Sequence, residues 1–306
     1  MTEVRLACNA MATRFELVLR GSVSSSQLRA AGEEAIREIE RIESKLSFYR
    51  SNSLLSRLNA TAGSRPVVLD HEFYIFLTEV AELSRRTRRA FDPTVGPLMK
   101  AWGLAGDRDI TPGHEEIEQA VRSTGIHHLQ FNEPDRSVRF KTPGLLLDPG
   151  AVGKGYAIDR AARLLRESGV DHALIHGGTS TVRAWGESPD GTGWRIVLRN
   201  PVSEAGESEE PFRSYLLIDE ALSVSTIMGK TVEAGGKRIG HILDPRSGLP
   251  VEGAILSACT ASNATVADAC STAMLVLGAD SGEVMGTMPE VSRYVVLLQN
   301  HTVIEQ

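Results

Sequence analysis

Apolar positions alternate with polar ones in RFELVLRG (14–21), the pattern of a half-buried strand. The period then changes. From about Ser26 to Phe48, residues Leu28, Ala31, Ala35, Ile39, Ile42 and Leu46 fall on one face of a helix. A second helix is expected over about Glu72 to Arg88, followed by FDPTVGPLMKAWG (91–103) as a loop punctuated by proline and glycine. IEQAVRSTG (117–125) predicts a short helix ending at Gly125, the residue type that most readily closes a helix. Two strands are expected within 128–148, then a helix over GYAIDRAARLLRESGV (155–170) with Ile158, Ala161, Ala162 and Leu165 on one face. HALIHGGTSTVRAWG (172–186) and GWRIVLRNP (193–201) read as strands, and the polar VSEAGESEEPFRS (202–214) as a loop. The last third predicts strands near 215–224, 239–243 and 254–261, a helix near 265–277 and a closing strand RYVVLLQ (293–299). Strands and helices alternate without a regular βαβ rhythm, which favours an α+β fold of one unit over residues 1–306.

Composition narrows the function classes. A net charge of −6 over 306 residues leaves no basic footprint for nucleic acid, and the arginines of SRRTRRAFD (84–92) read as the polar face of a helix. Cys8, Cys259 and Cys270 are odd in number and lack a C-x-x-C spacing, so neither a disulfide framework nor a zinc site is suggested. No run approaches the roughly 18 apolar residues that would cross a bilayer, and the N-terminal segment has no apolar leader core, so a cytoplasmic location is expected.

The chemistry-bearing stretch is LDPGAVGKGYAID (147–159), where Gly150, Gly153, Lys154 and Gly155 follow an apolar run and precede a helix. A nucleoside-triphosphate P-loop is excluded twice, because Asp148 stands where its first glycine would be and Gly155 replaces the hydroxyl residue after the lysine. Glycines and a helix N-terminus can still bring unpaired N–H groups to an anion. The same residues equally fit a tight turn with a solvated lysine. Asp268 and Thr272, four apart in VADACSTAMLVLG (266–278), put two oxygen donors on one helix face, as a hard cation requires. The competing reading is a threonine bonded to its own i−4 carbonyl and a solvated aspartate. GHILDPRSGLPV (240–251) offers His241, Asp244 and Arg246, and AFDPTVGPL (90–98) an Asp-Pro-Thr turn.

Together, NAMATRFEL, AFDPTVGPLMKAWG, LDPGAVGKGYAIDRAARLL, GHILDPRSGLPV and ADACSTAMLVLG, in this order from about Met11 to Gly278, resemble the ApbE-type FAD:protein FMN transferase family. The resemblance implies a two-lobed, T-fold-like unit of mainly antiparallel sheets packed with helices. It implies a Mg²⁺-dependent reaction that splits FAD at its pyrophosphate, moves FMN onto a Thr or Ser of an acceptor protein and releases AMP. By the same resemblance, Asp268, Thr272 and the backbone of Ala151 correspond to metal ligands. Met11, Tyr49, Ala90, Phe91, Asp92, Asp148, Lys154 and Ile242 correspond to FAD contacts, and His241 to a catalytic base. The glycine loop would then hold the pyrophosphate of FAD, with Thr272 supplying the hydroxyl missing after Lys154.

The chain departs from that pattern at SVSTIMGK (223–230), where the family usually has a Thr-Ser-Gly turn. It departs also at Pro149 and in HGGTSTVRAWG (176–186), which lacks an acidic residue after its glycines. Two other functions are compatible with the same residues: an FAD pyrophosphatase giving FMN and AMP, and a non-catalytic FAD-binding or delivery protein.

Overall fold

The structure is a computed structural model that describes residues 1–105, 111–201, 211–228, 231–234 and 237–306. In chain order the strands are β1 (Thr2–Ala10), β2 (Thr13–Gly21), β3 (Val67–Val68), β4 (Leu129–Asn132), β5 (Ser137–Phe140), β6 (His172–Gly177), β7 (Thr181–Trp185), β8 (Trp194–Arg199), β9 (Pro211–Leu217), β10 (Glu220–Thr226), β11 (Thr231–Ala234), β12 (Lys237–Gly240), β13 (Ala254–Ala261), β14 (Val291–Leu298) and β15 (Val303–Glu305). The helices are α1 (Ser25–Leu46), α2 (Leu54–Thr61), α3 (His71–Arg86), α4 (Gly96–Ala101), α5 (His114–Arg122), α6 (Gly153–Glu167), α7 (Ala264–Leu277) and α8 (Ser281–Met285).

An eight-stranded antiparallel sheet, ordered β1-β2-β6-β7-β10-β13-β14-β15, is the frame. Helices α1, α6 and α7 cover one of its faces, and the β8–β9 hairpin packs on the other through Trp194, Leu198, Tyr215 and Leu217 against Val182, Leu222, Ala258 and Val295. β13, covered on both sides, is buried at every residue, Ser257 and Thr260 included, and so it lacks the apolar–polar alternation of a half-exposed strand. The expected α+β fold with mainly antiparallel sheets is what the chain adopts.

α7 is nearly all buried because its sequence is small and apolar all round. Its N-terminus is doubly capped. Asn263 accepts from the Val266 N–H at 2.9 Å, and Asp159 of α6 accepts from the N–H groups of Ala264 and Thr265 at 2.9 and 2.8 Å. These caps fix α7 against α6, and with it the height of Asp268 above the sheet.

Three expectations need correction. The stretch 91–103 is not all loop: α4 occupies Gly96–Ala101, because Pro97 lies in its first turn, where proline has no hydrogen bond to lose. The segment 172–186 is two strands joined by a turn at Gly178, whose φ of +64° reverses the chain. The helix expected from residue 155 begins at Gly153, so Lys154 and Gly155 belong to its first turn. The single strand expected near 215–224 is divided between β9 and β10, and β1, α2, β3, β11, α8 and β15 have no counterpart among the expected elements. The polar loop 202–214 is cut short by β9 at Pro211, and residues 202–210 of it lie outside the described residues.

Candidate active site

Asp268 projects from α7 with its residue surface only 3 % exposed. Its Oδ1 accepts from Thr181 Oγ1 of β7 at 3.1 Å and from Ser223 Oγ of β10 at 3.0 Å, while Oδ2 accepts from the Gly155 N–H at 3.0 Å. All three donors are neutral, and among the described residues no cationic side chain pairs with this carboxylate. A buried carboxylate held only by neutral donors keeps its charge uncompensated, which favours a cation at its remaining lone pairs.

The Gly155 bond has a second effect. A helix continued one residue further back would give that N–H to the carbonyl of Ala151; here it goes to Asp268, and the Ala151 carbonyl is released from that partner. Thr272 stands one helical turn beyond Asp268. It does not bond back to the Asp268 carbonyl, which Ser271 Oγ occupies at 3.0 Å; its Oγ1 lies 3.4 Å from Ser225 Oγ of β10. Ala151, Asp268 and Thr272 thus offer a carbonyl, a carboxylate and a hydroxyl, an all-oxygen set suited to Mg²⁺ with phosphate oxygens and water completing its shell. Among the described residues no group of three or more His, Cys, Asp or Glu gathers as a metal centre, so a thiolate- or imidazole-rich site is not what this arrangement provides.

α6 starts without a side-chain cap and without an acidic residue in its first turn, leaving its positive end open to an anion. Lys154, half-buried in that turn, makes no ion pair with the described residues. Gly155 is required by contact: a Cβ there would lie 2.2 Å from the Ala264 carbonyl oxygen. Asp148 lies before the turn, its backbone N–H on Pro93 O at 2.7 Å and its Oδ1 accepting from the Gly150 N–H at 2.9 Å. Burial pushes the Asp148 carboxyl above the usual carboxylate range, and the Gly150 N–H only partly offsets this. Asn59 of α2 clamps the same segment, exchanging two hydrogen bonds with the backbone of Leu147 at 2.8 and 2.9 Å.

The other expected residues occupy the margins. Ala90 and Phe91 are buried in the core. Asp92 turns its carboxylate inward, accepting from Thr94 N–H and Oγ1 at 2.9 and 2.6 Å and facing Arg89 and the Ile126 N–H at 3.4 Å; it stabilises the turn that holds Pro93 against Asp148. Met11 forms the β1–β2 turn, and Tyr49 is exposed just beyond α1 with its ring edge-on to Phe48. The Met11 turn is linked to Asp268 through the sheet: Gly178 N–H donates to Arg14 O at 2.8 Å, and the turn that follows ends at Thr181. His241 and Ile242 leave β12 beside Ile227, whose N–H bonds to Ile255 O at the start of β13. Both are half-buried, and the Ile242 carbonyl accepts from the Val251 N–H at 3.0 Å.

The hydroxyls around Asp268 are functional positions that the sequence reading above does not single out. Thr181, Ser223, Ser225 and Ser271 come from three elements, and Ser223 and Ser225 lie in the stretch that departs from the family pattern. The available clue was the crowding of Ser and Thr in TST (179–181), SVST (223–226) and ST (271–272), on strands and a helix otherwise apolar. A cleft of about 650 Å³ between α3, α6 and the start of α7 lies apart from these residues, and several of its charges pair with one another, as in Arg86–Glu290 and Arg183–Asp159.

Comparison with known proteins points to one family. The ApbE family model matches residues 11–292. The FAD:protein FMN transferase of Klebsiella pneumoniae (strain 342) is 32% identical over 244 residues, covering 78% of this chain and 68% of that protein. The protein of the same name from Vibrio cholerae is 27% identical over 283 residues, covering 92% and 83%. Among solved structures, the ApbE protein of Thermotoga maritima superposes with a TM-score of 0.89 at 27% identity, covering 100% of this chain and 97% of that one. The flavin transferase ApbE of Vibrio cholerae gives 0.85 at 25%, covering 100% and 96%. The chain belongs to the ApbE family and is an enzyme of the transferase class.

Proposed function

We propose that this protein is a Mg²⁺-dependent FAD:protein FMN transferase, which attaches FMN through a phosphoester to a Thr or Ser hydroxyl of an acceptor protein and releases AMP. The observation that carries the reading is Asp268: a buried carboxylate held by three neutral donors, with no cationic partner among the described residues, tied to the first turn of an uncapped, glycine-rich helix. That is a cation subsite built into an anion subsite, the combination a pyrophosphate with its metal requires.

Ala151, Asp268 and Thr272 would hold the ion, which when bound neutralises the diphosphate and polarises the phosphorus under attack. Lys154 and the N–H groups at the start of α6 bind the phosphate oxygens and orient them. The acceptor hydroxyl oxygen forms a bond to the FMN-side phosphorus while the bond from that phosphorus to the AMP oxygen breaks; the hydroxyl proton passes to His241 and AMP leaves with the bond's electron pair. Met11, Tyr49, Ile242 and the Ala90–Asp92 turn shape the flavin-nucleotide site, with Asp148 at its floor.

The test follows AMP release from FAD with purified protein and an acceptor, with Mg²⁺ present or chelated. Turnover is expected only with the divalent ion and should fall at least a hundredfold in Asp268→Ala. FAD turnover by Asp268→Ala at the parent rate in limiting Mg²⁺ would remove the metal assignment.

A further inference from the structure

The β1–β2 hairpin closes through two residues, Met11 and Ala12, between the paired Ala10 and Thr13. Their φ values are +51° and +57°, the left-handed region in which a side chain is strained. Hairpins with this geometry ordinarily carry Asn-Gly or Gly-Gly, and here neither residue has that freedom. The sequence of the turn therefore does not account for its shape.

What holds it lies 32 residues away. Glu43 Oε1 accepts from the Met11 N–H at 2.7 Å, a short, charge-assisted bond. Glu43 is in the last turn of α1, where an acidic side chain faces the negative end of the helix and is unfavourable on local grounds. Its other visible partner does not explain its presence: Arg50 reaches Oε2 at 3.3 Å from a side chain 53% exposed, the kind of surface pair that contributes little. A residue that breaks a local rule beside a strained turn is best explained by the turn it holds.

We propose that Glu43 is a positioning residue for the flavin nucleotide: its carboxylate holds Met11 in the left-handed conformation that presents this residue to FAD. The inference rests on the reading of Met11 as an FAD contact.

The test measures FAD affinity by flavin fluorescence, together with KM and kcat for FAD, in five proteins: parent, Glu43→Gln, Glu43→Ala, Glu43→Ala with Ala12→Gly, and Met11→Ala. Glu43→Ala should raise Kd and KM about tenfold, the scale of one strained left-handed residue, with kcat changed less than twofold. Glu43→Gln keeps an acceptor oxygen for the Met11 N–H and should stay within about threefold of the parent. Ala12→Gly takes positive φ without strain and should restore most of the lost affinity in the Glu43→Ala background. Parent affinity in Glu43→Ala, beside weakened binding in Met11→Ala, would overturn the positioning role alone. Loss in Glu43→Ala that neither glutamine nor Ala12→Gly repairs would overturn it too, making Glu43 a direct ligand or a fold element. Parent affinity in Met11→Ala would remove both the contact and the role built on it.

Discussion

Gly155→Ala adds one carbon where α6 meets α7, and the structure fixes what that carbon meets. It would lie 2.2 Å from Ala264 O, 2.6 Å from Ala264 C and 2.9 Å from Thr265 N. These are backbone atoms whose N–H groups are pinned by Asp159, so they cannot swing aside as a side chain would. Overpacking a core costs about 1–3 kcal/mol. Moving α6 away also stretches the 3.0 Å bond from Gly155 N–H to Asp268, and a bond to a charged group contributes about 1.5–3 kcal/mol. Together these come to about 2.5–6 kcal/mol, or a fall in Tm of roughly 5–12 °C at about 2 °C per kcal/mol for a chain of this size. Differential scanning calorimetry reads the first effect. Titration calorimetry with Mg²⁺ reads the second, for which at least tenfold weaker binding is expected, because the cation subsite loses the donor that orients its carboxylate. A Gly155→Ala protein with the parent's Tm and Mg²⁺ affinity would refute the claim that this helix contact holds Asp268 in place.

Lys154→Ala should weaken FAD binding by roughly tenfold or more in a fluorescence titration while leaving Tm within a degree or so, since the side chain has no ion-pair partner among the described residues to lose. Asp148→Asn should have opposite effects on stability and binding. Burial raises the Asp148 carboxyl, so its ionisation opposes folding above its folded-state pKa and has no effect below its unfolded value; the variant should melt higher than the parent at pH 7, lose that advantage below about pH 4, and bind FAD less tightly. Glu72 carries the reverse sign. Its hydrogen bonds from Arg41, opposed by burial and helped by Lys45, hold its carboxyl down at about 2. Its stabilising contribution is complete above the unfolded value near 4.5 and is lost as pH falls from there towards 2. With discount for its partly exposed partners, Glu72→Gln should cost about 1–2 kcal/mol at pH 7 and flatten the acid limb of a Tm–pH curve.

What could be read from the sequence was whatever is periodic or local. α1 was legible because Leu28, Ala35, Ile39 and Ile42 repeat on one face, while its start, closed by the Ser24–Gln27 capping box, lies one residue before the expected one. β1 was not: as an edge strand it buries only Val4 and Ala10, and the Met11–Ala12 turn lacks the glycine or asparagine that marks a hairpin. The glycine motif announced a helix start. What it could not announce was that Gly155 serves two long-range contacts at once, an approach to Ala264 and an amide to Asp268 113 residues away. The hydroxyls on Asp268 come from positions 87 and 45 residues distant, on strands whose pairing no local pattern encodes. Asp92, legible in the sequence as part of an Asp-Pro-Thr turn, uses one carboxylate oxygen on that turn and faces Arg89 and the Ile126 N–H with the other.

The central claim is that FMN leaves FAD for a protein hydroxyl. The direct measurement is mass spectrometry of a Thr-bearing acceptor protein after incubation with this enzyme, FAD and Mg²⁺, with AMP quantified in the same sample. The account predicts one FMN joined through phosphate to a Thr or Ser for each AMP released, and neither product when Mg²⁺ is chelated. AMP accompanied by free FMN, with the acceptor unmodified across a panel of flavinylated-protein homologues, would contradict it and make water the nucleophile.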